Sequence, residues 1–374
     1  MKFTKPGYGF AAVTTLVTSI LGWLPVKGLS LRFAKQLFSE LTLVLVLALF
    51  FIRNKWIKLF VVWIVLSAIP HYSKWCHLAI FTLSLHLIGY EWLSRNLTEE
   101  RVQKLLNAIC VMCLLQTMWM ALQAFNIWII VYSTGRYPGM VFGFQDHSNL
   151  AAAVLALGLP AFFRKKWNLF IPFIWVGLFV SRSMGGIIPA FIVTVSYVFI
   201  LFRVQKRILT LLLCLFFVLG ATYVHFFENL SIVLVDNGRL SVWTSMFKEM
   251  INEKWLFGHG IGMFKIVWTN VHPVIVEPFL QAHNDYLQVW AEIGIVGLLI
   301  VLGFIGNIIF NYLHGILKGK SEGYHIAFAG FIVTILNAFV NFLFHTPVAV
   351  ISLVYFAIIQ FYESQPKESI HGFA

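Results

Sequence analysis

Charge is scarce in this chain. Only 11% of its 374 residues are Asp, Glu, Lys or Arg, and the acids number 15. A soluble domain is about 25% charged and about 45–50% apolar. Here 60% of residues are hydrophobic and 17% aromatic. One aqueous globule cannot hide that much apolar surface, which excludes a soluble enzyme. Cysteine is sparse too. Cys76, Cys110, Cys113 and Cys214 all fall in hydrophobic runs. Cys110 and Cys113 form a C-x-x-C by letter only, on an apolar segment without partner ligands, so small core side chains is the plain reading. No G-x-x-x-x-G-K-[ST] occurs, which argues against ATP hydrolysis. No Cys, His and carboxylate cluster has metal-ligand spacing, so no metal and no cofactor is expected. Internal repeats and low-complexity tracts are absent.

What remains is apolar length. Twelve runs are candidate spans: 7–25, 36–52, 57–70, 76–93, 105–125, 148–163, 169–181, 183–202, 208–226, 285–313, 326–344 and 347–362. They are continuously apolar rather than alternating, which disfavours a β-barrel. The first run lacks a small-residue cleavage site and reads as a span rather than a removed signal peptide. The expected fold is therefore an all-α polytopic membrane protein of about twelve transmembrane helices, one transmembrane domain over 1–374. One long loop, 227–283, interrupts it. That loop carries Pro, Gly and Trp and a helix-compatible stretch at Leu240–Lys254, and reads as a partly helical cap on the membrane surface.

The net charge of +12 points first to topology. With the N-terminus in the cytoplasm, seventeen of the 27 Lys and Arg fall inside and ten outside. The compact clusters, such as Arg164-Lys165-Lys166 and Arg203…Arg207, are all inside. This is the bias that orients membrane proteins, and it removes the support for nucleic acid as a partner. The loop 227–283 then lies outside.

Charge near the membrane is costly, so polar groups forced close to it are the candidates for chemistry. His283-Asn284-Asp285 joins the long loop to the span at 285–313. A His at a helix head can be neutral near pH 7, as a general base must be. Asn284 or Asp285 can cap that helix, and Gly294 and Gly297 suit close helix packing. An interfacial His beside a helix cap is the plainer alternative. Arg182, in Ser181-Arg182-Ser183-Met184-Gly185-Gly186, stands between two apolar runs with almost no loop. It suits a phosphate or diphosphate, which a guanidinium pairs bidentately, or else it snorkels. Arg239 opens an amphipathic stretch, and Gly258-His259-Gly260-Ile261-Gly262 follows as a tight turn without the strand of a nucleotide fingerprint. Arg136 and His147 flank Gly143-Phe144-Gln145, where Ser148 or Asn149 can cap a helix and Arg136 and His147 can line a sugar site. Three Arg and two His on one membrane face favour a cationic site for an anionic headgroup, with a His as base.

These motifs resemble a known family. His283-Asn284, nine residues, Gly294, two residues, Gly297 is similar to the signature of the bacterial O-antigen ligase and O-antigen polymerase family. Ser181–Gly186 resembles its Arg-bearing span junction, and Arg239…Trp243…Leu256–Gly262 its outer-loop block. Gly143…His147-Ser148-Asn149…Pro160 resembles an earlier block. The likeness runs from about 135 to 300 in order. Leu298 follows Gly297 where strict ligase signatures have Thr, which leaves ligase and polymerase both open.

The resemblance implies a metal-independent, inverting glycosyltransferase of the C-type membrane architecture in the bacterial inner membrane, acting at its periplasmic face. The donor would be an undecaprenyl-diphosphate-linked oligosaccharide. The acceptor would be lipid A-core for a ligase, or a second lipid-linked glycan for a polymerase, with membrane lipids and a chain-length regulator as further partners. His283 would be the general base, and Arg182 and Arg239 would hold the diphosphate. Arg136, His147, Asn284 and His259 complete the candidate substrate contacts. Two other classes share the spans and the cations: a flippase or transporter for a polyprenyl-linked glycan, and a non-catalytic envelope scaffold. A transporter calls for midplane polar groups and inverted repeats. The polar groups here gather at outer span ends.

Overall fold

Helices begin where a polar side chain can take up the unmatched N–H groups of a first turn, and four starts show this. In a computed structural model of the chain, residues 52–68, 74–125, 127, 141–145, 147–202, 239–264, 282–316, 321–346 and 348–365 are described. Thr98 accepts from Arg101 N–H at the head of one helix, and Ser321 accepts from Tyr324 N–H at another. Asn284 and His147 do the same at two more. Ten α-helices result among the described residues: α1 (Lys55–Ala68), α2 (Lys74–Asn96), α3 (Glu99–Ala124), α4 (Ser148–Gly158), α5 (Ile171–Ser181), α6 (Met184–Phe202), α7 (Arg239–Glu249), α8 (Asp285–Ile316), α9 (Glu322–Asn337) and α10 (Ala349–Ser364). No strand occurs among these residues.

Helices occupy most of the described residues in the apolar runs at 57–70, 76–93, 105–125, 148–163, 169–181, 183–202, 285–313, 326–344 and 347–362. Those at 7–25 and 208–226, and all but the last residue of 36–52, lie outside the described residues. Among the described residues two helices are long and apolar enough to cross a membrane, Glu99–Ala124 and Asp285–Gly315. Two expectations need correction. The run at 326–344 is not one helix: α9 stops at Asn337, and a 3-10 turn follows at Leu343–His345. Asn337 and Asn341 bond to each other there, side chain to side chain, at 2.5 Å. The run at 285–313 is broken at Gly294.

The chain divides into two compact units. The first comprises residues 1–96 and 243–319. In it α8 packs along α1 and against the π-helical turn Met250–Lys254 that ends α7. The second comprises 97–242 and 320–374. Its centre is α4, buried at every residue from Leu150 to Gly158. Small residues let its neighbours close in, as they do between membrane helices. Gly177 of α5 meets Leu155 and Thr117, Gly186 of α6 meets Ala152, and Gly158 itself meets the Cys113 thiol of α3. Tyr355 of α10 donates to the Leu157 carbonyl at 2.8 Å, and Tyr362 donates to Glu99 Oε2 at 2.6 Å. Arg164, one of the cations expected inside, is itself buried. It donates to the Ala161 carbonyl and to Gln103 Oε1 at 3.0 Å each.

A β-carbon on Gly186 would stand 2.5 Å from Ala152 Cβ and 2.8 Å from its carbonyl oxygen, so backbone would have to move. Gly186→Val is expected to cost about 2–3 kcal/mol of stability. A lowered thermal midpoint in detergent is the check, and an unchanged midpoint would contradict the packing.

Candidate functional site

A helix that breaks inside an apolar environment strands its own carbonyls, and each one left unmatched costs several kcal/mol. Gly294 breaks α8 with φ 75° and ψ 178°, a conformation essentially confined to glycine. Three successive carbonyls at the break find new donors within the first unit. Ala291 accepts from His259 N–H at 2.8 Å and Glu292 from Gly260 N–H at 2.8 Å. Ile293 accepts from the Trp63 indole at 2.7 Å. On the other side of the break, Ile295 N–H donates to the Trp255 carbonyl at 2.8 Å, and the Trp290 indole donates to the same oxygen. The segment 255–262 is thus docked on α8 as if it were a piece of sheet.

Glycine is needed on both surfaces of that contact. A Cβ on Gly258 would meet the Glu292 backbone, and one on Gly294 would collide with the Leu256 carbonyl. Gly258, Gly260 and Gly262 all have positive φ. The expectation that Gly294 allows helix packing is corrected accordingly. Gly294 admits a loop, not a helix, and the atoms nearest to a Cβ at Gly297 are those of Ile293 in its own helix.

This docking carries the histidines. His259 lies in the turn, with Nε2 3.7 Å from Glu249 Oε1. His283 precedes α8 with φ 51°, left-handed backbone that a non-glycine residue adopts at a cost of about 1–2 kcal/mol. Asn284 is the cap: its Oδ1 accepts from Tyr286 and Leu287 N–H, both at 3.1 Å, so of the two expected caps it is Asn284 that serves. The peptide before His283 is held from two sides. The Trp243 indole of α7 donates to the Ala282 carbonyl at 2.8 Å, and Ala282 N–H donates to Gln288 Oε1 at 3.1 Å. Gln288 Nε2 donates to Glu292 Oε1 at 3.0 Å, and Gly262 N–H donates to Glu292 Oε2 at 2.8 Å. Arg239 opens α7 four residues before Trp243.

In the second unit Arg182 is the turn between α5 and α6. It is solvent- or lipid-exposed, and its φ is 55°. Its N–H donates to the Phe179 carbonyl, which closes α5. Arg182 and His283 are the two non-glycine residues with positive φ among those described. Gly185 lies against the Asn341 amide, at 3.0 Å from a built Cβ.

The 142–149 block is held by α3. Gln116 and Gln123, seven residues apart on one helix face, grip the turn. Gln116 donates to the Phe142 carbonyl and accepts from Phe144 N–H. Gln123 donates to the Gly143 carbonyl and accepts from Phe142 and Gly143 N–H. His147, rather than Ser148 or Asn149, caps α4: its Nδ1 accepts from Asn149 N–H at 3.1 Å. That requires a neutral ring with its proton on Nε2, a donor for a sugar oxygen or another acceptor. Arg136 lies outside the described residues.

Sequence reasoning passed over Trp243, Gln116, Gln123, Gln288 and Glu292 as participants. Glu292 carried a signal, since it is an acid well inside an apolar helix. The others bond to backbone 6 to 39 residues away, which no local pattern reports.

Residues 169–302 match the family model described as O-Antigen ligase. Over this segment the chain is similar to the O-antigen ligase family. The family implies a bacterial membrane enzyme of glycosyltransferase type that acts on lipid-linked glycans in lipopolysaccharide assembly. No curated protein matches the chain. The matched segment contains Arg182, Arg239, His259, His283 and Asn284, and leaves Arg136 and His147 outside.

Gly294→Ala is expected to undock the segment 255–262, at a cost of about 3 kcal/mol or more from forbidden backbone and steric conflict together. Limited proteolysis reads this directly. Cleavage within 255–262 should appear in the variant and not in the parent, and identical digests would contradict the assigned role of the break.

Proposed function

We propose that this protein is an enzyme of the O-antigen ligase type, which moves a glycan from undecaprenyl diphosphate to an acceptor hydroxyl at the periplasmic face of the bacterial inner membrane. The acceptor is lipid A-core in a ligase, or a second lipid-linked glycan in a polymerase. His283 is the general base. It takes the proton of the acceptor hydroxyl as that oxygen attacks the anomeric carbon. The bond from that carbon to the diphosphate breaks on the opposite face, so the sugar inverts, and the diphosphate leaves with the electron pair. Arg182 and Arg239 hold the diphosphate and meet its growing charge. Neutral His147, Asn284, His259 and Arg136 contact the glycan. No metal enters the proposed step.

The observation that carries this reading is backbone strain. Arg182 and His283, chosen from the sequence for chemistry, are the two described non-glycine residues in left-handed conformation. Such strain gathers at functional sites, where the surrounding structure enforces an unfavourable conformation for the sake of orientation. Both residues fall in the segment that matches the family.

The test is transfer in proteoliposomes, with a polyprenyl-diphosphate glycan and an acceptor, followed by mass spectrometry. His283→Asn keeps a side chain that tolerates left-handed backbone and removes the base. Its rate should fall by about 10²- to 10⁴-fold, with a thermal midpoint no lower than the parent's. Undiminished transfer would rule the base out. Arg182→Lys keeps the charge and loses the bidentate fork, and should lose about tenfold or more in rate. Labelling of a cysteine at position 283 by a membrane-impermeant reagent in spheroplasts should succeed, and protection there would overturn the periplasmic placement.

A further inference from the structure

The path from the glycine turn to His283 has a logic of its own. It starts at one backbone N–H, Gly262, and ends at another, Ala282. Between them stand two side chains, Glu292 and Gln288, buried at 6% and 2% exposure. Gly262 N–H donates to one Glu292 oxygen, Gln288 Nε2 donates to the other, and Ala282 N–H donates to Gln288 Oε1. With a donor at each end, one amide and one carboxylate satisfy the contacts between without taking up a proton. Two amides leave two N–H groups facing each other whichever way each is turned. Two ionised carboxylates leave two oxygens facing each other, a fault that only a shared proton repairs. Either fault lies in a buried place, where an unmatched polar group is most costly.

What the path holds is the Ala282 peptide, whose carbonyl is gripped at the same time by Trp243. That peptide fixes where His283 starts, and His283 sits in a backbone conformation that relaxes if released. The turn at the far end of the path is the one seated on the broken helix. We infer that Gln288 and Glu292 are positioning residues that orient the His283 imidazole toward the acceptor hydroxyl. Their role depends on one being an amide and the other an acid, not on which is which. This rests on the reading of His283 as the base.

The exchange of the two side chains tests it. In Gln288→Glu combined with Glu292→Gln, every contact re-forms. Gly262 N–H donates to the new amide oxygen, the new amide donates to the new carboxylate, and Ala282 N–H donates to that carboxylate's other oxygen. Glu292→Gln alone creates one fault, and Gln288→Glu alone creates one wherever both carboxyls are ionised, so that variant is read across rising pH. The full-length protein is assayed in proteoliposomes for kcat and KM per folded molecule. In parallel, the rate at which diethyl pyrocarbonate modifies His283 is read by peptide mass spectrometry.

Each single variant should lose about tenfold or more in kcat, as misplaced catalytic groups do, with KM within about twofold. The histidine modification rate should shift in both, and the double variant should return both readouts to near the parent's. A double variant as impaired as the singles would overturn the proposal. So would single variants with the parent's kcat per folded molecule. The histidine rates separate this from the function itself. If the parent transfers nothing while the rates still follow the pattern, the transferase reading falls and the positioning stands. Equal rates in all four forms overturn the positioning.

Discussion

The break in α8 at Gly294 is the constraint on which the first unit depends. A helix in an apolar surrounding normally satisfies its own backbone, and water is not at hand to repair a gap. By interrupting the ladder, the chain creates demand for N–H groups at three successive carbonyls, and the segment 255–262 with Trp63 supplies them. A loop is thereby fixed to the helix by hydrogen bonds that neither could replace elsewhere. Glycine makes the break possible and also makes the contact close enough to work.

From that contact the arrangement reaches outward. The turn that supplies Gly260 N–H also supplies Gly262 N–H, which meets the Glu292 carboxylate. The carboxylate aligns Gln288, and Gln288 holds the amide before His283. Trp243 brings α7 to the same peptide. Packing of apolar helices alone would leave the orientation of His283 to its own backbone preference, which disfavours the conformation found. Directional bonds to buried backbone overrule that preference.

The helices were legible because apolar length is a strong local signal. The runs at 105–125 and 169–181 correspond closely to α3 and α5. The candidate residues were legible by type and isolation: Arg182 between two runs, and His283 at a helix head. The break at Gly294 was not, because two glycines three apart read equally well as a helix-packing stripe. The end of α9 was missed for a similar reason, since apolar residues continue past Asn337, where the helix stops. Arg164 was counted only as an inner cation, and its burial against Gln103 depends on a partner 61 residues away. Capping by His147 was hidden because imidazole is an unusual cap, and Ser148 and Asn149 beside it are usual ones.

The grip of Gln116 and Gln123 on the 142–144 turn has a consequence for how the chain tolerates change. Five hydrogen bonds from one helix face locate that turn. The position of His147, a few residues on, is therefore reckoned from α3 and not from the stretch of chain that leads to it. Relatives of this protein can lengthen or shorten the stretch between 125 and 141 freely without displacing His147. A single residue gained or lost between 142 and 147 would turn the ring away from the α4 terminus. Length variation should thus stop abruptly at Phe142, and that boundary would be visible in any set of sequences sharing this fold.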